Sequence, residues 1–576
     1  MSRKRGCDSI TLILMRLSRD RVRELLLLGG LCGFFFFFRL SGIGLLGPDE
    51  PRYAQVAREM LARHNWVTPY LYGHTWLEKP ILLYWAEMLS FRLFGIVDWA
   101  ARVPAAAMAT AMSFGVFLFV RHIRPAARLD AAMMVASGAL VLGFARAAAT
   151  DMLLAAPFTL GLLAWFAWYQ SEFEAAEDGV SRLLHSRLLL SFFYAMIAVA
   201  SLAKGPVAPG LAALVVIAFC LLRRTPRAIL RTLDPLGIVV FLAVALPWYV
   251  AIQRETPEFF HVFFLQHNLA RFSSNLYRHR QPFWYYLPVA LVGTLPWTVW
   301  LLHGLNDAWR GLRQRIVPDE GEPGYAFEIF LAVWGLLPIV FFSLSRSKLP
   351  GYILPGIPAL LMLGATAIHR RAGWEEPPRR VSILLHATLL GALAAALIVT
   401  PRVIFHIHLT ALVYAAAAAA FAVVFLLVAL PLMRLGWPML RFVTLLPIIL
   451  LVGLVLRGLA PTVDATSSSR PVAQLLSALD EPGTRPLATF GVSRNMALGL
   501  AFYLNRPAAP YEGLEVSPAV YELPAAVPSA EHILILRMGA MPALHELIGQ
   551  RAVIYLGEDR NARVEIYRIG AATALP

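Results

Sequence analysis

Apolar stretches of about twenty residues, separated by short segments rich in arginine, recur along most of the chain. They lie near 25–46, 100–120, 130–145, 152–169, 188–203, 206–222, 235–252, 283–303, 328–344, 352–368, 382–400, 410–433 and 442–460. A bilayer core about 30 Å thick needs roughly twenty helical residues, so the pattern predicts about 13 transmembrane helices. Beyond residue 461 the pattern changes. A helical period at Val472–Leu479 and short runs at Leu487–Gly491, His532–Leu536, Val553–Leu556 and Val564–Tyr567 predict a small α/β domain. The fold class is a polytopic α-helical membrane protein, 1–461, with a small C-terminal extracytoplasmic α/β domain, 462–576.

The loop 47–99 interrupts this regularity. Tyr53, Val56, Ala57, Met60 and Leu61 recur at helical spacing, with Arg52, Gln55, Arg58, Glu59 and Arg63 on the other face, as expected of a helix lying in the membrane surface. A second helix is predicted after Pro80, through Ile81, Tyr84, Trp85 and Met88 toward Phe94. Between them, Trp66–Trp76 contains Pro69 and Gly73 among aromatics and reads as a turn at headgroup level. Phe34 to Phe38 read as lipid-facing bulk.

Composition agrees with the pattern. Of 576 residues, 58% are hydrophobic and 15% charged; mean hydropathy is +0.63, which excludes a soluble globular protein. A net charge of +15 invites a nucleic-acid partner. The basic residues, however, sit in short clusters between apolar runs, as in Arg223, Arg224, Arg227 and Arg231, or Arg370, Arg371, Arg379 and Arg380. That distribution encodes orientation in a membrane and gives no reason for nucleic acid. The tail with Arg3, Lys4, Arg5 and Arg16 is assigned to the cytoplasm. The long apolar run after it, with no small-residue cleavage pattern, reads as a retained span and not a signal peptide. An odd number of spans then puts both loop 47–99 and the C-terminal domain outside. Cys7, Cys32 and Cys220 form neither a disulfide framework nor a metal-ligand spacing.

Candidate chemistry starts at Gly47-Pro48-Asp49-Glu50-Pro51-Arg52-Tyr53-Ala54, two adjacent carboxylates with a proline placed to open a helix. The local alternative makes Glu50 an N-cap and Asp49 a turn residue. Further charges gather at the outer ends of other spans: Arg146, Asp151, Lys204, His267, Arg271, His279, Arg346 and Lys348, with Tyr352. Such groups cost about 2.5–3.5 kcal/mol at a helix centre and less near the interface, and they usually line a cavity. Any one of them could pair with a carboxylate or snorkel to headgroups. Their convergence on one side points to a site.

Pro48-Asp49-Glu50-Pro51-Arg52-Tyr53-Ala54, Leu77-Glu78-Lys79-Pro80-Ile81-Leu82-Leu83-Tyr84-Trp85, Ala203-Lys204-Gly205-Pro206, His279 followed by Pro282-Phe283-Trp284-Tyr285-Tyr286, and Ser347-Lys348-Leu349-Pro350-Gly351-Tyr352 together resemble the aminoarabinose transferases of lipid A. These belong to the larger family related to protein O-mannosyltransferases. The resemblance implies a GT-C glycosyltransferase of the bacterial inner membrane, with its N-terminus cytoplasmic and its C-terminal domain periplasmic. It implies a donor sugar on undecaprenyl phosphate, 4-amino-4-deoxy-L-arabinose, and lipid A phosphate as acceptor. O-glycosylation of proteins or other envelope acceptors is the alternative; a Pro-Arg-Tyr-Ala sequence after the acidic pair, in place of a His-Phe type, favours the lipid-modifying branch. A lipid or sugar transporter is a reading from another class, but no internal repeat supports it.

The chemistry assigns roles. Displacing a lipid phosphate builds negative charge on the leaving group, so cations near it lower the barrier; Lys79, Lys204, Arg271, Arg346 and Lys348 are the candidates. An acceptor hydroxyl needs a base, worth about 10²- to 10⁴-fold, and Asp49 is placed for it. An acceptor phosphate needs none. Asp49 and Glu78 are the expected catalytic carboxylates, with Glu50, Arg52, Tyr53, Asp151 and Tyr352 also binding substrate. The resemblance associates Glu78 and His267 with a divalent metal such as zinc, although Gln266 stands where the family often has Glu.

Overall fold

The computed structural model describes residues 20–173, 180–270, 281–314, 325–373, 375–404, 408, 410–479, 483–517 and 521–572. His279 falls outside this set. Among the described residues nine helices are long and apolar enough to cross a membrane, or up to eleven if each of two bent pairs is one span. The protein is a multi-pass membrane protein, and the differences from thirteen have local causes. The stretch expected at 130–145 bends by 61° between Ser137 and Ala139. That expected at 283–303 turns through 114° between Gly293 and Thr298. Val207–Leu222 is helical but has only 16 residues, short for the bilayer core.

The first apolar run is helical over 20–32 (α1) and continues as a π turn, Gly33–Phe37. It does not face lipid throughout, because Phe35 and Phe36 are fully buried. From residue 38 to 48 the backbone is irregular. A helix that ends near a membrane leaves carbonyls that need donors. Two arginines from later segments supply them: Arg146 donates to the Phe35, Phe38 and Arg39 carbonyls at 3.0–3.2 Å, and Arg102 to those of Leu40, Ile43 and Gly44 at 2.5–3.3 Å.

Three helices then build the membrane-proximal region: α2, Asp49–Ala62; α3, Leu82–Phe94; and α4, Asp98–Ile123. Between α2 and α3 the Trp66–Trp76 turn forms a small antiparallel pair, β1 (Tyr70–Leu71) with β2 (His74–Thr75). Behind them the bundle is centred on α5, Thr150–Phe173, and the run Pro350–Gly373, both almost wholly buried. Arg380–Val403 and Ala411–Leu435 pack mainly on each other at the periphery, with most of their surface open to lipid.

The C-terminal region carries a five-stranded mixed sheet: β3 (Leu487–Phe490), β4 (Ala508–Pro510), β7 (His532–Arg537), β8 (Val553–Asp559) and β9 (Val564–Ile569), in the order β4-β3-β7-β9-β8. Its first three strands are parallel and β9 pairs antiparallel with β7 and β8. Two apolar layers cover the sheet: Val472, Leu476 and Leu500 on one face, Leu544 and Ile548 on the other. A separate antiparallel pair, β5 (Leu514–Ser517) with β6 (Tyr521–Leu523), leaves the sheet and reaches the membrane-proximal helices. Val516 and Phe502 belong to the core of the membrane region. As a result the polar face of α2 is not solvated as a surface helix would be: Arg52 and Gln55 are buried, and Arg58 donates to the Phe502 carbonyl at 2.6 Å.

Close helix contact gives a direct test of the bundle. A Cβ on Gly304 would lie 2.5 Å from the Leu363 carbonyl oxygen, which is backbone and cannot swing away. Gly304→Ala is expected to destabilise by about 1–3 kcal/mol, the usual cost of overpacking. Gly210→Ala, where nothing lies within 4 Å, is expected to be neutral; thermal unfolding of the two variants in detergent checks the difference.

Candidate active site

Helix α2 starts with Asp49 and Glu50 in its first turn, after Pro48 at the N-cap position. Glu50 is therefore not the cap. It points inward, where its carboxylate accepts from the backbone N–H of Leu46 at 2.7 Å and of Ala148 at 2.8 Å. Arg102 donates to the same carboxylate through Nη2 at 2.6 Å and Nε at 3.1 Å. Those four bonds use the capacity of a carboxylate. Glu50 joins α2, α4, the end of the first span and the turn that enters α5.

Asp49 points the other way, with 56% of its side chain exposed. Its Oδ1 accepts from Arg52 Nη2 at 2.6 Å. Arg52 is buried among Asp49, Glu78 at 3.2 Å and the Val516 carbonyl at 3.2 Å, with its guanidinium 5.3 Å and 5.2 Å from the ring centres of Tyr53 and Trp76. Burial opposes its charge, but Glu78 and then Asp49 outweigh that and raise its pKa above the usual arginine value. Lys79 reaches the other Glu78 oxygen at 3.0 Å. Burial also raises the Tyr53 and Tyr84 phenols, which stay neutral. The result is an alternating row, Asp49, Arg52, Glu78, Lys79, walled by aromatic rings.

A second charged group lies at the start of α5. Asp151 Oδ1 accepts from Lys204 Nζ at 2.6 Å, and that ammonium sits 5.6 Å from the Tyr352 ring centre. Lys204 ends a long helix, α6, Val180–Lys204. Gly351 packs directly on Asp151: a Cβ there would lie 2.1 Å from Oδ1. Lys348 is buried and donates to the Ser345 carbonyl, and Arg346 is exposed. The two groups are tied together through Glu50. Its bond to Ala148 holds a residue three positions from Asp151, no more than about 11 Å of chain.

His267 lies in the helical segment His261–Ala270, but its side chain, like the whole of Arg271, falls outside the described residues. Glu78, the other residue associated with metal, has cationic groups of Arg52 and Lys79 at 3.2 Å and 3.0 Å. Those cations compete with a divalent ion for the same oxygens. Among the described residues no three or more His, Cys, Asp or Glu side chains are grouped to hold a metal ion, so the described residues do not fit one.

Three contributors escape the sequence reading. Arg102 could have been noticed as a charge inside an apolar span. Val516 acts through its backbone carbonyl, which no side-chain pattern reveals. Glu87, on α3, is fully buried and neither carboxylate oxygen has a hydrogen-bond partner among the described residues. Burial, and then the Glu50 charge, push its pKa well above the usual carboxylate range.

No protein-family model matches the chain. The bundle, its membrane-proximal helices and the C-terminal sheet have the fold of GT-C glycosyltransferases. Among solved structures the chain superposes on ArnT from Cupriavidus metallidurans bound to undecaprenyl phosphate with a TM-score of 0.75, covering 96% of this chain and 99% of that one at 24% identity. Its homologues are named undecaprenyl phosphate-alpha-4-amino-4-deoxy-L-arabinose arabinosyl transferase. The one from Pseudomonas aeruginosa (strain UCBPP-PA14) is 34% identical over 384 residues, 66% of each chain; that from Edwardsiella ictaluri is 30% identical over 370 residues, 63% of each. The matched part spans just under two thirds of the length of these curated relatives.

Two outcomes test the anchoring. Arg102→Ala strands the buried Glu50 charge and is expected to cost about 3–5 kcal/mol, whereas Arg102→Ala combined with Glu50→Gln restores part of it; chemical unfolding of the pair checks this. Glu87 gives a pH dependence. Below the ordinary Glu value of 4.5 folded and unfolded chains both hold the proton; above it the unfolded chain loses it first, so stability falls as pH rises from that value toward the raised folded one. As pH rises above about 4.5 the melting temperature should fall more in the parent than in Glu87→Gln.

Proposed function

We propose that the protein transfers 4-amino-4-deoxy-L-arabinose from undecaprenyl phosphate to a phosphate of lipid A, at the periplasmic face of a bacterial inner membrane. The observation that carries the reading is Lys348. It is a buried cation whose ammonium meets the Ser345 carbonyl, with no carboxylate within 4.0 Å among the described residues. A buried charge left with only a carbonyl is costly unless an anion completes its surroundings. The carrier phosphate is such an anion, and the names of the homologues supply both carrier and sugar.

In this reading Lys348, Arg346 and Lys204 receive the carrier phosphate. The bond between the anomeric carbon and the phosphate oxygen breaks, its electron pair stays on that phosphate, and the cations stabilise the growing charge. An oxygen of the acceptor phosphate forms the new bond. That oxygen is already ionised, so no general base is needed, and Asp49 positions the amino group of the sugar by charge. Glu78 holds Arg52 and Lys79 in place, and Glu50 acts by fixing α2. Asp151 and Tyr352 orient the Lys204 ammonium, while Tyr53 closes the wall beside Arg52. The arginine-rich loops face the cytoplasm with the N-terminal tail, which makes 1–461 the membrane domain and 462–576 a periplasmic domain.

Mass spectrometry of lipid A from cells with the gene intact and deleted tests the reaction. The expected result is loss of the aminopentose from a lipid A phosphate. Unchanged lipid A together with an altered protein or envelope glycan would instead make the acceptor a hydroxyl and Asp49 its base. In the purified enzyme, Lys348→Gln is expected to lower kcat about 10²- to 10³-fold, as for removal of one preorganised charge partner. Undiminished turnover would remove Lys348 from the site.

A further inference from the structure

At the far end of α1 from Asp49 the chain forms a cleft of about 610 Å³. About twenty-five ångströms of helix and π turn separate residue 20 from Phe37, so the cleft lies toward the opposite membrane face. Its lining brings together five arginines from four separate elements: Arg21 and Arg23 on α1, Arg121 at the end of α4, Arg128 on the next helix and Arg441 on Trp437–Leu454. Asp20 and Glu24 oppose them in the lining and Asp130 pairs Arg441 from beside it, which leaves an excess of two positive charges among the described residues.

The arginines are not equivalent. Arg128 is clamped by both oxygens of Glu24 at 2.8 Å. Arg441 is clamped by Asp130 at 2.6 Å and 3.0 Å, and Asp130 also meets His369 at 2.6 Å. These two guanidiniums are fixed in place with N–H groups to spare. Arg23 meets Asp20 at only 3.5 Å, with both side chains exposed. Arg121 is half-buried and has no carboxylate within 4.0 Å among the described residues. The cleft therefore offers pre-set donors beside Arg121, a cation with no carboxylate partner among the described residues. Its other wall is apolar: Leu27 lines it and is 57% exposed, next to Leu26 at 70% and close to Val22 at 55%.

We propose that this cleft binds the phosphate headgroup of an anionic phospholipid from the leaflet opposite the Asp49 cluster, with an acyl chain laid along Val22, Leu26 and Leu27. A free phosphate ester would satisfy the arginines alone. The lipid satisfies both walls, and its negative phosphate is opposite in sign to the excess. Basic clefts between transmembrane helices are suited to such headgroups, at about 1 kcal/mol, or fivefold in affinity, for each arginine near the surface.

The test uses the full chain in detergent, delipidated and then titrated with phosphatidylglycerol, phosphatidylethanolamine or soluble glycerol 3-phosphate, with melting temperature and native mass spectrometry as readouts. Phosphatidylglycerol is expected to raise the melting temperature and remain bound, with little effect of the other two. Arg121→Gln is expected to weaken the response about fivefold, and Arg21→Gln with Arg121→Gln about twenty-five-fold. Arg227→Gln, in another loop on the same side, should leave it unchanged. An equal response to phosphatidylethanolamine, or one unaltered by the Arg121 and Arg21 variants, overturns the site. An equal response to glycerol 3-phosphate overturns the lipid assignment in favour of a free phosphate ester.

Discussion

A carboxylate buried against a membrane is tolerated only where cations and N–H groups surround it, and the Glu50–Arg102 pair meets that condition with little slack. Arg102 sits near the start of α4; its side chain holds Glu50 and also takes up three carbonyls from the irregular backbone after the first span. One guanidinium thus satisfies both a charge and the open end of a helix. The direction of α2, and with it the outward aim of Asp49, follows from that arrangement. Replacing Arg102 with any residue of lower donor count would release several groups at once, because they share a single partner.

The charged residues around Asp49 form pairs of graded accessibility. Glu50 is wholly engaged inside the protein, Arg52 and Glu78 face each other beneath the aromatic wall, and Asp49 reaches outward. Arg52 lies between two carboxylates and is paired to both. The second group repeats this logic with Asp151 and Lys204, whereas Lys348 breaks it. The break is informative because Lys348, unlike the exposed Arg346, is buried.

Much of the architecture was legible in the sequence because hydrophobic length is a strong signal in membranes. The helix after Pro80, the turn at Trp66–Trp76 and the strands at 487, 532, 553 and 564 all form near their expected places. What was not legible depends on contacts across hundreds of residues. The period of α2 predicted an amphipathic surface helix, yet its polar face is covered by residues from 502 to 516. Phe35 and Phe36 are indistinguishable in sequence from their lipid-facing neighbours, and only packing against the bundle separates them. The motifs drew Asp49, Glu78, Lys204 and Lys348 to attention, but their pairing could not be read from spacing. The bends at 137–139 and 293–298 are also invisible to a hydropathy count, because apolarity continues through them.

The strand Leu514–Ser517 places the Val516 carbonyl on Arg52, the same guanidinium that holds Asp49 and Glu78. Docking of the C-terminal region and occupancy of the charged row therefore share one group, and linkage makes their energies reciprocal. A ligand that draws the guanidinium toward itself loosens that strand by as much free energy as the docked strand withholds from the ligand. A ligand that leaves Arg52 in place tightens nothing. The C-terminal region is in this sense a competitor for one donor of the site, and its attachment is a thermodynamic gauge of what occupies the row.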